Sequence, residues 1–565
     1  MIPSPPSARA VNERRRLAVV GLVSLLLALW MDLSPLHRFH DSDSLVPVLM
    51  SLQRWTPFYW EQNRFGSLLP LLAIPVHGPY HNLLVQVGLR LLAVVLSFFL
   101  LARLVVPRAY WPAVGAATFA LYVAGKGQYA HCFLQMQPYP QAAALGLGGL
   151  AALGDCRRIG RIGAGVLLIG LAFWISPSIL FWLFSLMALR WVLGMEREAA
   201  GAEKGPHPRP LSRLPPPFPR ERGEKRQKRF SRFFLSPLSR WGRWGSRERG
   251  GGEGLFRRLL PFALLCTAFV ASVLVTRYFA PWAATDLGVA KVSTWPHAWA
   301  ALAVGLAKFL GVPLALAAAV LAGCAAAARR SARARLAAAV GLCLLAPAAA
   351  ELLALGTSSW VHLNDLTIRF LCCGLLSAGM ALPALAAVVL LEGRPGWQRI
   401  ANAVAFAALV PVVFLRFGPP SPAAARAAFD RHVGPAAPAL VAAGCTHVLG
   451  SYWRVWPAAL RADQILWERG VKGQVWGITT RSRPTRDLWQ PRSWTAARVG
   501  VIRDDAVAAT AMSFYSVPPL FLVETAPGLR VYSGTPPPGA AVVSFPPVTR
   551  GPSAVSVAPS QEPRP

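Results

Sequence analysis

The sequence predicts an α-helical polytopic membrane protein of about eleven transmembrane helices, followed by a small C-terminal extracytoplasmic α/β domain. Three observations carry that prediction. Of 565 residues, 54% are hydrophobic and only 15% charged, and the mean hydropathy is +0.42. Apolar runs of about 20 residues, the length needed to cross the hydrocarbon as a backbone-satisfied helix, recur from Leu17 to Arg416. After Arg416 the pattern changes to short apolar runs and one amphipathic stretch.

The spans fall near 17–32, 83–103, 112–130, 140–154, 162–176, 178–194, 258–279, 299–325, 335–354, 369–391 and 400–416. The first follows a Pro-rich start and Arg14-Arg15-Arg16; no small-x-small cleavage site follows its apolar run, so it reads as a retained helix with its N-terminus inside. Arg103 with Arg108, then Arg157, Arg158 and Arg161, the block 196–258, Arg329, Arg330, Arg333 and Arg335, and Arg394 with Arg399 all fall on the side of Arg14. That is the positive-inside pattern. An odd number of crossings then puts the C-terminus outside, with 33–82, 126–140, 280–298, 355–368 and everything after Arg416 on the outer face.

The net charge of +33 would suggest nucleic acid in a soluble chain. Here loop arginines and a single polar segment account for it, so no nucleic-acid partner is expected. The eight cysteines form no CxxC pair and no His/Cys metal spacing. The segment 196–258 is rich in Pro, Gly, Arg and Lys without apolar periodicity and is expected to be a disordered cytoplasmic loop. It repeats itself: Pro210-Leu211-Ser212-Arg213 leads to Arg220-Glu221-Arg222-Gly223, and Pro237-Leu238-Ser239-Arg240 to Arg247-Glu248-Arg249-Gly250. This resembles a translated repeat inserted in a tolerant loop; a polybasic patch on anionic lipid is the alternative.

The membrane domain is thus expected over 1–416, an outer α/β domain over 417–550 and a disordered Pro/Ser tail over 551–565. Within the outer domain, 446–452, 474–480 and 497–502 read as strands, 457–468 as an amphipathic helix and 506–514 as a weak helix. No Gly-rich phosphate loop accompanies them.

Candidate chemistry gathers on the outer face. Asp41 and Asp43 share a face on an extended segment but diverge by about 200° on a helix. One can accept a proton, or bind a hard divalent cation, while the other orients it. Equally, Asp43 or Ser44 can cap a helix over 45–54. Arg64 can pair with Glu61, three residues earlier, or grip a phosphate with its planar fork. Lys126, with His131 and Gln135, is an outer cation that the positive-inside bias does not explain, although interfacial snorkelling does. Arg369 can pair with Asp365 at i and i+4 or hold a lipid-linked phosphate at headgroup depth.

The Asp-Ser-Asp-Ser-Leu-Val-Pro run at 41–47, Trp60-x-x-x-Arg64-Phe65-Gly66, the pair Arg369-Phe370 and Gly450-Ser451-Tyr452-Trp453 together resemble the C-type superfamily of bacterial membrane glycosyltransferases that use polyprenyl-phosphate donors. The likeness is strongest over 30–80 and loose elsewhere. It implies Asp41 as catalytic base or metal-associated carboxylate with Asp43 second, a divalent cation such as Mg or Mn as the only cofactor, and Arg369, then Arg64 or Lys126, as binders of the lipid phosphate. The partners it implies are a polyprenyl-phosphate-sugar donor and a lipid or glycan acceptor at the outer face of the bacterial cytoplasmic membrane. Many members carry adjacent acids where this chain has Asp-Ser-Asp, which leaves the base and the metal open. Two other classes remain: a non-catalytic envelope-assembly protein, for which Asp41 would be indifferent to mutation, and a transporter, against which stands the absence of a half-to-half repeat.

Overall fold

The structure, a computed structural model, describes residues 8–34, 42–60, 66–106, 109–125, 138–154, 159–193, 251–279, 288–479, 496–502, 520–526, 529–533 and 542–543. A helix overlies each of the eleven apolar intervals: α1 (Ala8–Asp32), α4 (Pro79–Val105), α5 (Trp111–Ala124), α6 (Tyr139–Leu153), α7 (Ile159–Ile175), α8 (Leu180–Val192), α9 (Gly251–Phe279), α10 (Trp295–Ala327), α11 (Ala332–Gly356), α13 (Cys372–Leu391) and α14 (Pro395–Phe417). Between α1 and α4 lie the short helices α2 (Ser42–Leu52) and α3 (Leu68–Ala73), and α12 (Ser359–Leu363) follows α11. Their facing sides form one apolar core running from Val20 to Phe417.

Side-chain bonds tie the helix ends into two opposite poles. At one, Arg103 Nε donates to Glu13 Oε1 (3.0 Å), the Tyr110 hydroxyl to Glu392 (2.9 Å), and Arg333 to the Glu392 carbonyl (2.8 Å). Asn402 accepts from the Ala113 amide (2.9 Å) and donates to the Ala109 carbonyl (3.0 Å). At the other, Trp30 Nε1 donates to the Gly418 carbonyl (2.8 Å), the Tyr139 and Phe370 rings meet edge to face, and 288–290 bridges 357–359 through Ala290 N to Thr357 O and Ser359 N to Gly288 O. The described arginines of the basic clusters at 14–16, 103, 329–335, 394 and 399 therefore share one pole, as the charge pattern predicts, and the described parts of the candidate outer segments lie at the other.

Length and apolarity alone do not establish eleven crossings. Five helical stretches among the described residues are long and apolar enough to span a bilayer: Pro79–Val105, Val292–Ala327, Ala332–Gly356, Ile368–Leu391 and Pro395–His432. A sixth is formed if α7 and the segment Pro177–Val192, bent by 120° at Ser176-Pro177, are taken as one broken span. Other helices fall short of that measure for local reasons: α5 is only 14 residues long, and α1 carries Arg14, Arg15 and Arg16 within its own length, although it reaches from the basic pole to the Trp30–Gly418 contact. The predicted disordered loop is also shorter than expected at its C-terminal end, where α9 already begins at Gly251. The rest of that loop, its repeat and the 551–565 tail lie outside the described residues.

Beyond α14 come α15 (Pro422–His432), α16 (Ala437–Ala442), β1 (His447–Leu449), α17 (Tyr452–Glu468), β2 (Trp476–Ile478), β3 (Arg498–Ile502), β4 (Leu520–Ala526), β5 (Leu529–Ser533) and β6 (Val542–Val543). The sheet order is β2-β1-β3-β5-β4-β6. β1 lies parallel to both β2 and β3, and the β3–β5, β5–β4 and β4–β6 pairs are antiparallel. β1-α17-β2, in which the sequence led one to expect strand, helix and strand, forms a parallel crossover unit. Two of its details differ. The helix starts at Tyr452 rather than 457, because Gly450-Ser451 ends the strand and Pro457 is tolerated inside the helix near its start. The strands β4 to β6 were not foreseen, and the weak helix at 506–514 lies outside the described residues. Gly434, with φ of 56° and no room for a Cβ beside the Pro457 carbonyl, turns α15 back towards α17.

The core of this outer layer is not built from residues after 416 alone. Leu45, Val46, Val48, Leu49, Tyr59 and Trp60 from the first loop are buried in the same cluster as Val448, Trp456, Leu460 and Val499. Trp60, fully buried, lies 5.9 Å from Trp456 and 6.4 Å from Trp476 between ring centroids. Trp60→Ala should cost roughly 3–5 kcal/mol. Limited proteolysis of the full chain in detergent should then cut the outer layer at a lower temperature than in wild type, and an unchanged profile would exclude Trp60 from its core.

Candidate functional site

The first loop enters the outer layer at the end of β1. Ser42 opens α2 and donates its hydroxyl to the Tyr452 carbonyl (2.6 Å). The Tyr452 phenol donates in turn to Asp43 Oδ1 (2.8 Å). Tyr452 is the first residue of α17, directly after β1, and β1 has its successors β2 and β3 on opposite sides. In open α/β sheets the crevice beyond such a point of reversal, at the strand C-termini, is where ligands bind. Asp43 is half-buried there.

Of the two sequence readings, the helix is the one formed, but it begins at Ser42 rather than 45, so Asp43 sits within the first turn instead of preceding it. A carboxylate there meets unpaired backbone N–H groups and the positive end of the helix dipole. Asp41, which precedes the helix, lies outside the described residues, as do Arg64 and Lys126.

Arg369 stands at the same pole, in a 3₁₀ turn (Ile368–Leu371) that leads into α13. The i,i+4 pairing with Asp365 is not formed. Asp365 and Leu366 both adopt left-handed backbone (φ 55° and 50°), so the segment is not helical there, and no Arg369–Asp365 ion pair occurs. The guanidinium stacks over the Phe370 ring at 5.2 Å, and its Nε is buried without a hydrogen-bond acceptor. Two consecutive left-handed residues, one of them leucine, cost of order 1–3 kcal/mol each, and such strain concentrates at ligand-binding segments.

A further polar set went unmarked in the sequence reading. Asn82, Gln86 and Arg90 lie at successive i+4 positions of α4 and are buried, Arg90 fully so. Gln86 Nε2 donates to the Pro47 carbonyl (3.0 Å), Ser51 Oγ (3.1 Å) and Asn82 Oδ1 (2.8 Å). Asn82 Nδ2 donates to the Ala73 and Val76 carbonyls. This face of α4 thus fastens the first loop and places a cation inside a span. Glu351, buried within α11, accepts from the Gly374 amide. The spacing of three polar residues four apart in an apolar run was the signal available. Among the described residues no three His, Cys, Asp or Glu side chains converge as a metal-ligand set.

No family model matches the chain, and no curated protein matches it. Among solved structures it is similar to the crystal structure of ArnT from Cupriavidus metallidurans bound to undecaprenyl phosphate, at 12% identity and a TM-score of 0.42, over 92% of this chain and 99% of that one. At that score the likeness fixes neither fold nor activity.

What steadies the Asp43 end of α2 is a second clamp at its other end. Gln53 Nε2 donates to Asp463 Oδ2 (2.8 Å) and to the Val475 carbonyl (3.1 Å). The Val475 amide donates to Asp463 Oδ1 (2.7 Å), and Gln474 Nε2 to the Leu52 carbonyl (3.0 Å). Asp463 is buried, and that burial pushes its carboxyl from 3.8 up to about 7, against the opposing pull of the Val475 and Gln53 hydrogen bonds. The folded state therefore holds this proton more tightly than the unfolded chain. Stability of the outer layer should be greatest below about pH 4, fall by up to roughly 4 kcal/mol as pH rises to about 7, and level off above that. Thermal unfolding of wild type against Asp463→Asn measures it: the variant should lose the slope over this window, and an equal slope in both would assign the pH dependence to other groups.

Proposed function

We propose that the protein transfers a sugar from a polyprenyl-phosphate donor to a lipid or glycan acceptor at the outer face of the bacterial cytoplasmic membrane. The observation that carries this reading is the Ser42–Asp43–Tyr452 junction, which joins two motifs of the family resemblance and holds Ser42 and Asp43 at the strand-end crevice of the outer sheet. Arg369, a cation on that pole without an acidic partner, supports it.

In this mechanism Asp41 takes the proton from an acceptor hydroxyl while that oxygen attacks the anomeric carbon and the bond to the lipid phosphate breaks. Asp43 is a positioning residue: its bond from Tyr452 sets the start of α2 and with it the preceding Asp41. Arg369 receives the departing phosphate through its fork of donors. General-base assistance contributes roughly 10²–10⁴-fold, and stabilising the leaving charge is ordinarily the larger share. A divalent cation would add charge at the phosphate; Asp41 is the residue that would hold it, and no step requires it.

Asp41→Asn should lower release of radiolabelled sugar from polyprenyl-phosphate donors in membranes by about 10²-fold or more. Tyr452→Phe should lower it by about tenfold, and Arg369→Lys should be impaired although the charge is kept. Full activity of Asp41→Asn would reduce the carboxylate to a helix cap and overturn the reading. Transport remains the second reading, favoured by the ionisable residues Arg90 and Glu351 inside spans and by the 120° break at Ser176-Pro177. Solute flux without consumption of any donor would decide for it.

A further inference from the structure

The basic pole contains a cavity of about 410 Å³ between α1, α5 and α14, lined by Asn12, Arg15, Arg16, Arg399, Asn402 and, on its apolar side, Val19, Val20, Pro112 and Phe406. The three cations come from two helices about 390 residues apart in sequence. No carboxylate is among the described residues lining the cavity, and Glu13, next to it on α1, is engaged by Arg103 at 3.0 Å and reaches Arg16 at 3.8 Å. Its wall is fixed rather than collapsible, since Asn402 is bonded to the backbone of both Ala109 and Ala113 and so pins α14 against the start of α5.

We propose that this cavity binds the phosphate headgroup of an anionic membrane lipid, with the phosphate among Arg15, Arg16 and Arg399 and the upper acyl chain along Val19, Val20 and Phe406. The lining matches that ligand: guanidinium forks recognise phosphate oxygens, and Val19, Val20 and Phe406 follow Arg15, Arg16 and Arg399 one to two turns further along the same helices. A purely aqueous anion would have no use for the second set. Basic pockets between transmembrane helices on the cytoplasmic side are suited to such headgroups, each cation near the surface contributing about fivefold in binding. The cavity lies at the pole opposite Asp43 and Arg369, so the inference stands or falls independently of the transferase reading.

The test uses the full chain in nanodiscs, measuring retention of spin-labelled phosphatidylglycerol relative to phosphatidylcholine. Wild type should prefer phosphatidylglycerol. Arg399→Gln and Arg15→Gln should each lower that preference about fivefold, Arg399→Lys should keep most of it, and Phe406→Ala should weaken retention without altering headgroup choice. Arg394→Gln removes an exposed charge from the same pole outside the cavity and should change nothing. Equal loss from Arg394→Gln and Arg399→Gln would mean general surface charge and would overturn the proposal. So would competition by inorganic phosphate that is indifferent to Phe406→Ala, which would indicate a soluble anion rather than a lipid.

Discussion

The seating of α2 on α17 is the contact on which the rest of the outer face depends. Chain segments about 410 residues apart are joined there at both ends of a short helix: Ser42 and Asp43 to Tyr452 at one end, and Gln53 to Asp463 and Val475 at the other. An 11-residue helix is too short to be stable alone in water, and its first turn is defined only because the C-terminal sheet supplies the partners. Apolar burial does most of the work, since Leu45, Val46, Val48 and Leu49 lose essentially all contact with solvent. The hydrogen bonds select the register in which that burial occurs. A loop that would otherwise trail from the first helix is thereby converted into part of a folded layer.

The membrane side of the same junction is secured by a different kind of interaction. Asn82 and Gln86 turn the start of α4 into a polar face that takes the Pro47, Ala73 and Val76 carbonyls. Such bonds matter at helix ends and in the connection after α3, because each buried carbonyl left unsatisfied would cost several kcal/mol. Tyr80 extends the attachment, giving its amide to Gln464 of α17 (2.8 Å) and its ring to Phe429 of α15. The outer layer is thus bound to the first loop and to α4 at once, and bundle and sheet share one boundary instead of meeting through a flexible linker.

Much of this architecture was legible in the sequence because its causes are local. Apolar length located the helices, and arginine clustering sorted their ends into two poles. The parallel β1-α17-β2 unit followed from strand, amphipathic helix and strand in the right order. Features that depend on remote partners were not readable: nothing near Asp43 announces Tyr452, and nothing near Trp60 announces Trp456 and Trp476. Apolarity located eleven helices but does not by itself distinguish a 14-residue helix such as α5 from a full span. The β4–β5 pair was missed despite a local signal, since Ala526 and Leu529 pair across Pro527-Gly528 and a Pro-Gly step between apolar runs marks a turn. Arg90 was hidden for the opposite reason: a single arginine within a long apolar run does not disturb its hydropathy.

The two poles differ in what explains their cations, and that difference locates the chemistry. Arginines at the basic pole need no special account, because retention of positive loops orients the helices during insertion, and the cavity there only makes use of what orientation requires. Arg369 has no such explanation. It stands at the other pole, with its Nε buried and lacking an acceptor, close after two left-handed residues, and it forms no ion pair with the acid four residues earlier. A guanidinium at the membrane edge is stable only if something anionic satisfies it for part of the time, and within the described chain nothing does. The proposed phosphate-binding role of Arg369 rests on that contrast with the basic pole.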